Sequence, residues 1–134
     1  MTEYKNPALT VDTIIIDNNK IVLIKRLNEP YKDYWAIPGG FVEYGEKVED
    51  AAIREAKEET GLDIELTKLV GVYSDPERDP RGHTVTVAFT AKIIGGCLNS
   101  DSDAKDAKFV NITELDKINL AFDHKNILED SNLQ

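Results

Sequence analysis

The segment Gly39–Leu62, GGFVEYGEKVEDAAIREAKEETGL, sets four glutamates, Glu46, Glu55, Glu58 and Glu59, around one arginine, Arg54, between glycine-bearing turns. Its central part, from about Val48 to Thr60, reads as a helix closed by Gly61. Taking Val48 as zero and turning about 100° per residue, Ala52 lies near ~40°, Ala56 ~80°, Glu59 ~20°, Glu55 ~340° and Glu58 ~280°. The three glutamates therefore share a sector of about 100° that overlaps the apolar stripe of Val48, Ala51 and Ala52. Asp50, Arg54 and Lys57 fall on the outer side. Taken alone, an E-x-x-E-E face is commonly a solvated one. Here the carboxylates lie on the apolar side, and Glu55 and Glu59 repel at i,i+4. Hard divalent cations relieve such crowding, because they take several carboxylate oxygens at once.

Around this helix the chain alternates short extended runs with turns. LTVDTIII and IVLIKR are β-branched and separated by DNNK, a hairpin signal. YWAIPGGFVEYG gives a short strand, a Pro-Gly-Gly break and a second extended piece. LDIELTKLVGVYS and HTVTVAFTAKI are longer strands flanking the polar loop DPERDPRG. KFVN is a last strand, and ITELDKI and AFDHKNILED read as short helices. The order is mixed α/β with hairpins, which argues against a parallel doubly wound sheet.

At 134 residues the chain is most economically a single domain, 1–134. Its formal net charge of -9 makes nucleic acid a poor partner, since a duplex-binding surface reads basic. A polyphosphate remains compatible where metal ions supply positive charge. The lone cysteine, Cys97, allows no intrachain disulfide and reads as a packed or semi-exposed structural residue. No apolar run approaches the roughly 20 residues of a membrane span, and no signal peptide is apparent. The expected location is cytoplasmic, with no membrane partner.

Gly40, five residues, Glu46, seven residues and then REAKEETGL from Arg54 to Leu62 resemble the Nudix box of hydrolases acting on nucleoside-diphosphate-linked substrates. Ala56 stands where a larger aliphatic is usual, and Lys47 where the family commonly caps the helix with Ser or Thr. Arg26 at the end of LIKR, the approach WAIPGGFVEYGE and the exit AKFVNITEL extend the resemblance over roughly residues 8–128. It implies a Nudix-type α/β/α sandwich with a mixed β-sheet and a catalytic loop-helix-loop. It also implies a Mg²⁺-dependent pyrophosphohydrolase, with Mn²⁺ as a substitute.

Carried over residue by residue, the resemblance makes the Gly40 carbonyl, Glu55, Glu58 and Glu59 the metal candidates, with Glu55 and Glu59 leading. Arg54 becomes an orienting partner that reaches Glu58 one turn away, Glu46 joins that network from the preceding loop, and Gly61 closes the box. Two residues stand as candidates for the general base: Glu55, and Asp103 in the loop SDSDAKDAKFV. Asp103 sits six residues before Phe109, where many members carry Glu.

Substrate is read from YSDPERDPRGHTVTVAF. A proline about fifteen residues after the box marks the ADP-ribose pyrophosphatase subgroup, and Pro76 lies fourteen beyond Leu62. Pro76 and Pro80 stiffen the loop and lower the entropy of holding an arginine in place. Arg78 and Arg81, with Arg26, are the candidate substrate-binding residues. LAFDHKNIL resembles the same subgroup's C-terminal helix, in which His124 is also read as a packing residue. Hydrolysis of ADP-ribose to AMP and ribose 5-phosphate is thus the leading expectation. The alternatives are a nucleoside triphosphate pyrophosphatase, including one for oxidised nucleotides, and a non-catalytic ADP-ribose sensor. The expected partner is a small nucleoside diphosphate derivative. A homodimer is expected from the subgroup resemblance alone.

Overall fold

The structure, a computed structural model, describes residues 5–98 and 106–133. The two β-branched runs form strands β1 (Ala8–Asp17) and β2 (Lys20–Lys25). Asn18 and Asn19 between them take φ of 47° and 61°, the left-handed pair that a two-residue hairpin turn requires. β3 (Trp35–Ala36), β4 (Gly39–Phe41), helix α1 (Val48–Thr60), β5 (Leu62–Tyr73), β6 (Thr84–Gly96) and β7 (Asp106–Asn111) follow. A 3-10 turn (Ile112–Lys117) and helix α2 (His124–Asp130) come last.

The strands make one mixed sheet of order β3-β2-β1-β6-β5, with β4 also on β1 and β7 on β2. Among the strands of the described residues β1 and β6 form the parallel pair, in register from Ala8↔Thr84 to Ile16↔Lys92. β1 and β2 pair only next to their turn, at Ile16↔Ile21 and Asp17↔Lys20. Beyond it they fork. β2 continues against β3 (Lys25↔Trp35) while β1 continues against β4 (Asp12↔Gly39). The Pro-Gly-Gly segment bridges the fork, and Thr13 N donates to Pro38 O at 2.9 Å. This wedge brings the glycines of the box beside the middle of the sheet.

Strand alternation decides which helix packs where. Val11 and Ile15 of β1 point to one face, where Ala51, Ala52 and Ala56 of α1 lie against them, all fully buried. Ile14 points to the other face, with Ile21 and Leu23, and meets Ile127 and Leu128 of α2. The result is the expected α/β/α sandwich. Alanines on the inner face of α1, including Ala56 in place of a larger aliphatic, let the helix sit close to the sheet. Lys47 is the N-cap without a side-chain cap bond, as its identity implies, and Gly61 ends the helix at φ 79°.

Two local expectations change. ITELDK is a 3-10 helix, capped at its start by the Asn111 side chain, which accepts from Thr113 N at 3.0 Å. Cys97 is exposed, one residue past the end of β6 where the chain leaves the sheet.

Candidate active site

A cleft of about 400 Å³ runs from α1 across the glycine edge of β4 to the loop between β5 and β6. Glu55 and Glu59 line one end, and Arg78, Asp79 and Arg81 line the other. Arg26, Asp12, Phe122 and His124 lie between.

At the helix end, exposure follows angular distance from the apolar stripe. Glu59 is 8% exposed, the Glu55 side chain 15% and the Glu58 side chain 44%. Glu59 reaches into the fork, where Gly39 N donates to its Oε1 at 2.7 Å. A Cβ on Gly40 would fall on the Glu55 carboxylate and push that side chain aside, so glycine here lets the carboxylate lie against the backbone.

Arg54 does not lie outward as its helical angle suggests. Its side chain turns back, and its guanidinium donates to Glu46 at 2.7 and 2.9 Å, to Glu55 at 2.8 Å and to Phe41 O at 3.1 Å. Glu58, the partner expected from one-turn spacing, is the longer contact at 3.3 Å. The fork of Arg54 matches the two oxygens of Glu46, and this bidentate geometry outcompetes the helical neighbour. Its hydrogen bond holds the Glu46 carboxyl down at about 2, and the same bond raises the Arg54 pKa.

At the loop end the arginines are paired. Arg78 is 5% exposed and donates to both oxygens of Asp123, at 2.9 and 2.7 Å, and to Thr84 Oγ1 at 2.8 Å. Burial pulls its pKa down, but the Asp123 bond and surrounding carboxylates outweigh burial and raise it. Arg78, a candidate substrate-binding residue by sequence, lines the cleft but has its guanidinium engaged by Asp123 and Thr84. It ties the loop to the start of α2. Arg81 is half-exposed and bonds the buried Asp79 at 2.7 Å. It also lies 5.7 Å from the Phe41 ring and 5.5 Å from the Phe122 ring. Arg26 stacks on Phe122 at 4.8 Å and donates to Pro30 O at 2.8 Å; burial and the nearby Arg81 lower its pKa.

The expected metal donors, Glu55, Glu58, Glu59 and the Gly40 carbonyl, are all hard oxygens, a set that suits Mg²⁺ or Mn²⁺. Among the described residues no three His, Cys, Asp or Glu groups already converge as a preformed cage. The fit rests on donor chemistry and on the backbone approach that Gly40 permits beside Glu55. Asp103 lies outside the described residues.

Sequence reasoning missed Asp12, Phe41, Asp79 and Phe122 as cleft residues. Asp12 had a signal: a carboxylate inside the β-branched run LTVDTIII is costly to bury without a purpose. Phe122, at φ 53°, is a strained aromatic with no comparable sequence mark.

Comparison with known proteins identifies the class. The NUDIX domain model matches residues 6–131, and the chain belongs to this family. It is 54% identical over 127 residues to the ADP-ribose pyrophosphatase of Methanocaldococcus jannaschii, covering 95% of this chain and 74% of that one. It is 36% identical to the ADPR responsive transcriptional repressor NtrR of Acinetobacter baylyi, covering 96% of this chain but only 54% of the repressor. The NUDIX domain of Shewanella oneidensis NrtR, solved with ADP ribose, superposes with a TM-score of 0.83 at 30% identity. That match covers 96% of this chain and 88% of that one.

Proposed function

We propose that this Nudix hydrolase cleaves ADP-ribose with water to AMP and ribose 5-phosphate, using Mg²⁺, with Mn²⁺ as a substitute. The observation that carries the reading is one cleft of about 400 Å³ lined both by box glutamates and by a guanidinium-aromatic cluster. The 54% identity to an ADP-ribose pyrophosphatase supports it. The ligand of the NrtR domain points to the same chemistry.

Glu55, Glu59 and the Gly40 carbonyl would hold the cation, with Glu58 at the rim. A bound divalent cation supplies charge neutralisation at the diphosphate and makes water more acidic. Arg54 and Glu46 keep Glu55 turned toward Gly40. Arg81 and Arg26 bind the far phosphate and ribose, with Phe41 and Phe122 offering apolar faces. Two groups compete for the role of proton acceptor. They are Glu55, which accepts an Arg54 hydrogen bond at 2.8 Å, and Asp103, and a substitution separates them. A kcat loss of about 10²-fold or more in Asp103→Asn assigns the role to Asp103, and a negligible effect assigns it to Glu55.

The sensor reading has a specific observation behind it, the 36% identity to NtrR. The retained glutamates favour catalysis instead. A panel of ADP-ribose, dGTP and ATP with Mg²⁺, scored for released products, tests the assignment. Preferred turnover of ADP-ribose is expected, with turnover abolished by EDTA and restored by Mg²⁺. Equal or faster triphosphate turnover would reject it, and binding without turnover would favour the sensor. A homodimer is proposed from the subgroup resemblance alone; light scattering that gives a monomer at micromolar concentration contradicts it. No helix among the described residues is long and apolar enough to cross a membrane.

A further inference from the structure

His124 and Asp12 line the cleft on the α2 face of β1, Asp12 opposite Gly39 in the fork. Both are buried, His124 at 4% exposure and Asp12 at 7%, yet both line the cleft. Their hydrogen-bonding states follow from their neighbours. Ile37 N donates to His124 Nδ1 at 3.0 Å, so Nδ1 carries no proton. Burial lowers the His124 pKa, which agrees with a neutral ring. The ring proton therefore sits on Nε2. Its nearest acceptor within the protein is Asp12 Oδ1 at 3.7 Å, beyond hydrogen-bond reach. The other Asp12 oxygen, Oδ2, accepts from Thr86 Oγ1 at 2.7 Å, which fixes the carboxylate plane and leaves Oδ1 turned to the imidazole.

This part of the cleft thus presents one N–H donor and one carboxylate acceptor side by side, close together but not bonded. Neither atom is sealed from the cleft, so a ligand there can supply an acceptor to the one and a donor to the other. A phosphate does not qualify. It accepts but donates poorly, and the Asp12 carboxylate repels it. Guanidinium donors for a phosphate lie elsewhere in the cleft, at Arg81 and Arg26, and the glutamates would meet one only through a bound cation. Gly39 keeps the two halves continuous, since a Cβ there would collide with Asp12 Oδ1 and Val11 O.

We propose that His124 Nε2–H and Asp12 Oδ1 form a donor–acceptor pair that recognises an uncharged hydrogen-bonding edge of the substrate, either a purine edge or sugar hydroxyls. An adenine Watson–Crick edge offers an amino donor to Asp12 and a ring-nitrogen acceptor to His124. Hypoxanthine reverses that order. A pair of ribose hydroxyls satisfies the same two atoms whatever the base. The inference rests on the ADP-ribose reading for its choice of probe, and the experiment separates the two.

Calorimetric binding of ADP-ribose and of its hypoxanthine analogue is measured in EDTA, where no turnover occurs, for wild type, His124→Asn and Asp12→Asn. Asparagine keeps an acceptor near the Nδ1 position for Ile37 N and removes the Nε2–H donor. His124→Asn is expected to weaken ADP-ribose binding about tenfold, the size of one net hydrogen bond, with melting close to wild type. If the base is read, wild type prefers ADP-ribose over the hypoxanthine analogue and both variants lose that preference. If hydroxyls are read, wild type treats the two alike, both variants weaken both, and a deoxyribose analogue binds wild type as weakly. A folded His124→Asn protein with wild-type affinity for both ligands overturns the inference. Should that variant fail to fold, wild-type affinity of Asp12→Asn for both ligands overturns it equally. Hydrolysis of ADP-ribose by the Mg²⁺-loaded wild type is scored separately. Its absence sinks the substrate reading, whereas unaltered variant binding sinks only the donor–acceptor pair.

Discussion

The two ends of the cleft use arginine in opposite ways. At the helix end one guanidinium, Arg54, is 26% exposed and serves four carboxylates, Glu46, Glu55, Glu58 and, at 3.9 Å, Glu43. At the loop end each arginine has an aspartate of its own: Arg78 holds Asp123 and Arg81 holds Asp79. Carboxylates outnumber the cation at the first end, and charges balance at the second. An excess of buried and half-buried carboxylate is a site that asks for added cations. A balanced pair is a scaffold, and its arginine is available to a ligand only where it remains exposed and its remaining donors face the cleft.

The largest effect is expected where the excess matters most. Glu59→Gln keeps an acceptor for Gly39 N but removes the charge, so the fork should fold while turnover falls. A kcat loss on the order of 10³-fold, several kcal/mol of transition-state stabilisation, is expected in steady-state assays with Mg²⁺. A variant with near-normal kcat would move the metal site away from α1.

Next comes the scaffold itself. Arg78→Ala leaves the Asp123 carboxylate partly buried with no counter-ion, a change that typically costs about 3–5 kcal/mol. Arg54→Ala removes a more exposed guanidinium from carboxylates that water reaches, so its cost in stability should be smaller. Thermal melting of the two variants tests the contrast. Equal losses, or a larger one for Arg54→Ala, would erase the distinction between a structural and a functional arginine.

How far these roles could be read from sequence depends on whether they are local. α1 is one continuous segment, so its period placed the three glutamates together on the apolar side before any contact was known, and the structure sets Glu58, 44% exposed, at the rim of that group. The mixed sheet was legible from strand runs and turn residues, with the Asn18–Asn19 hairpin as its clearest sign. What failed was long-range. Arg78 and Asp123 are 45 positions apart, and nothing in DPERDPRGH reveals that one of its arginines turns inward. Ile37 and His124 are 87 apart. Arg54 was read as a partner of Glu58 and of Glu46 in the preceding loop, and it contacts both; what its outer helical position did not reveal is that the bidentate bond goes to Glu46.

Arg81 sharpens the comparison on the substrate side. It is paired with Asp79, yet half-exposed and set against Phe41 and Phe122, so its remaining donors can reach a ligand. Arg81→Ala is expected to lower the preference for ADP-ribose over dGTP by roughly 1.5–3 kcal/mol if one charged hydrogen bond is lost. Unchanged selectivity in kcat/KM would make Arg81, like Arg78, a residue that only balances its aspartate.

The smallest effect separates the two ends by pH. Burial holds the His124 pKa below its ordinary value of 6.5, so the unfolded chain binds this proton more readily than the folded one. His124 therefore costs no stability above about pH 6.5 and destabilises as pH falls below that value toward its folded pKa. Glu46 is also depressed, from 4.5 to about 2 by the Arg54 hydrogen bond, so its stabilisation is present above 4.5 and lost as pH falls toward 2. The two signs agree but the windows do not. Melting temperature should begin to fall just below pH 6.5, with a slope of at most about 1.4 kcal/mol per pH unit for one proton. A second decline should follow below 4.5. His124→Asn should remove the first decline and leave the second, while Glu46→Gln should weaken the second and leave the first. A wild-type melting temperature that stays flat from pH 7 to pH 5 would mean that His124 is protonated as readily in the fold as outside it. The neutral ring with its proton on Nε2 would then be wrong.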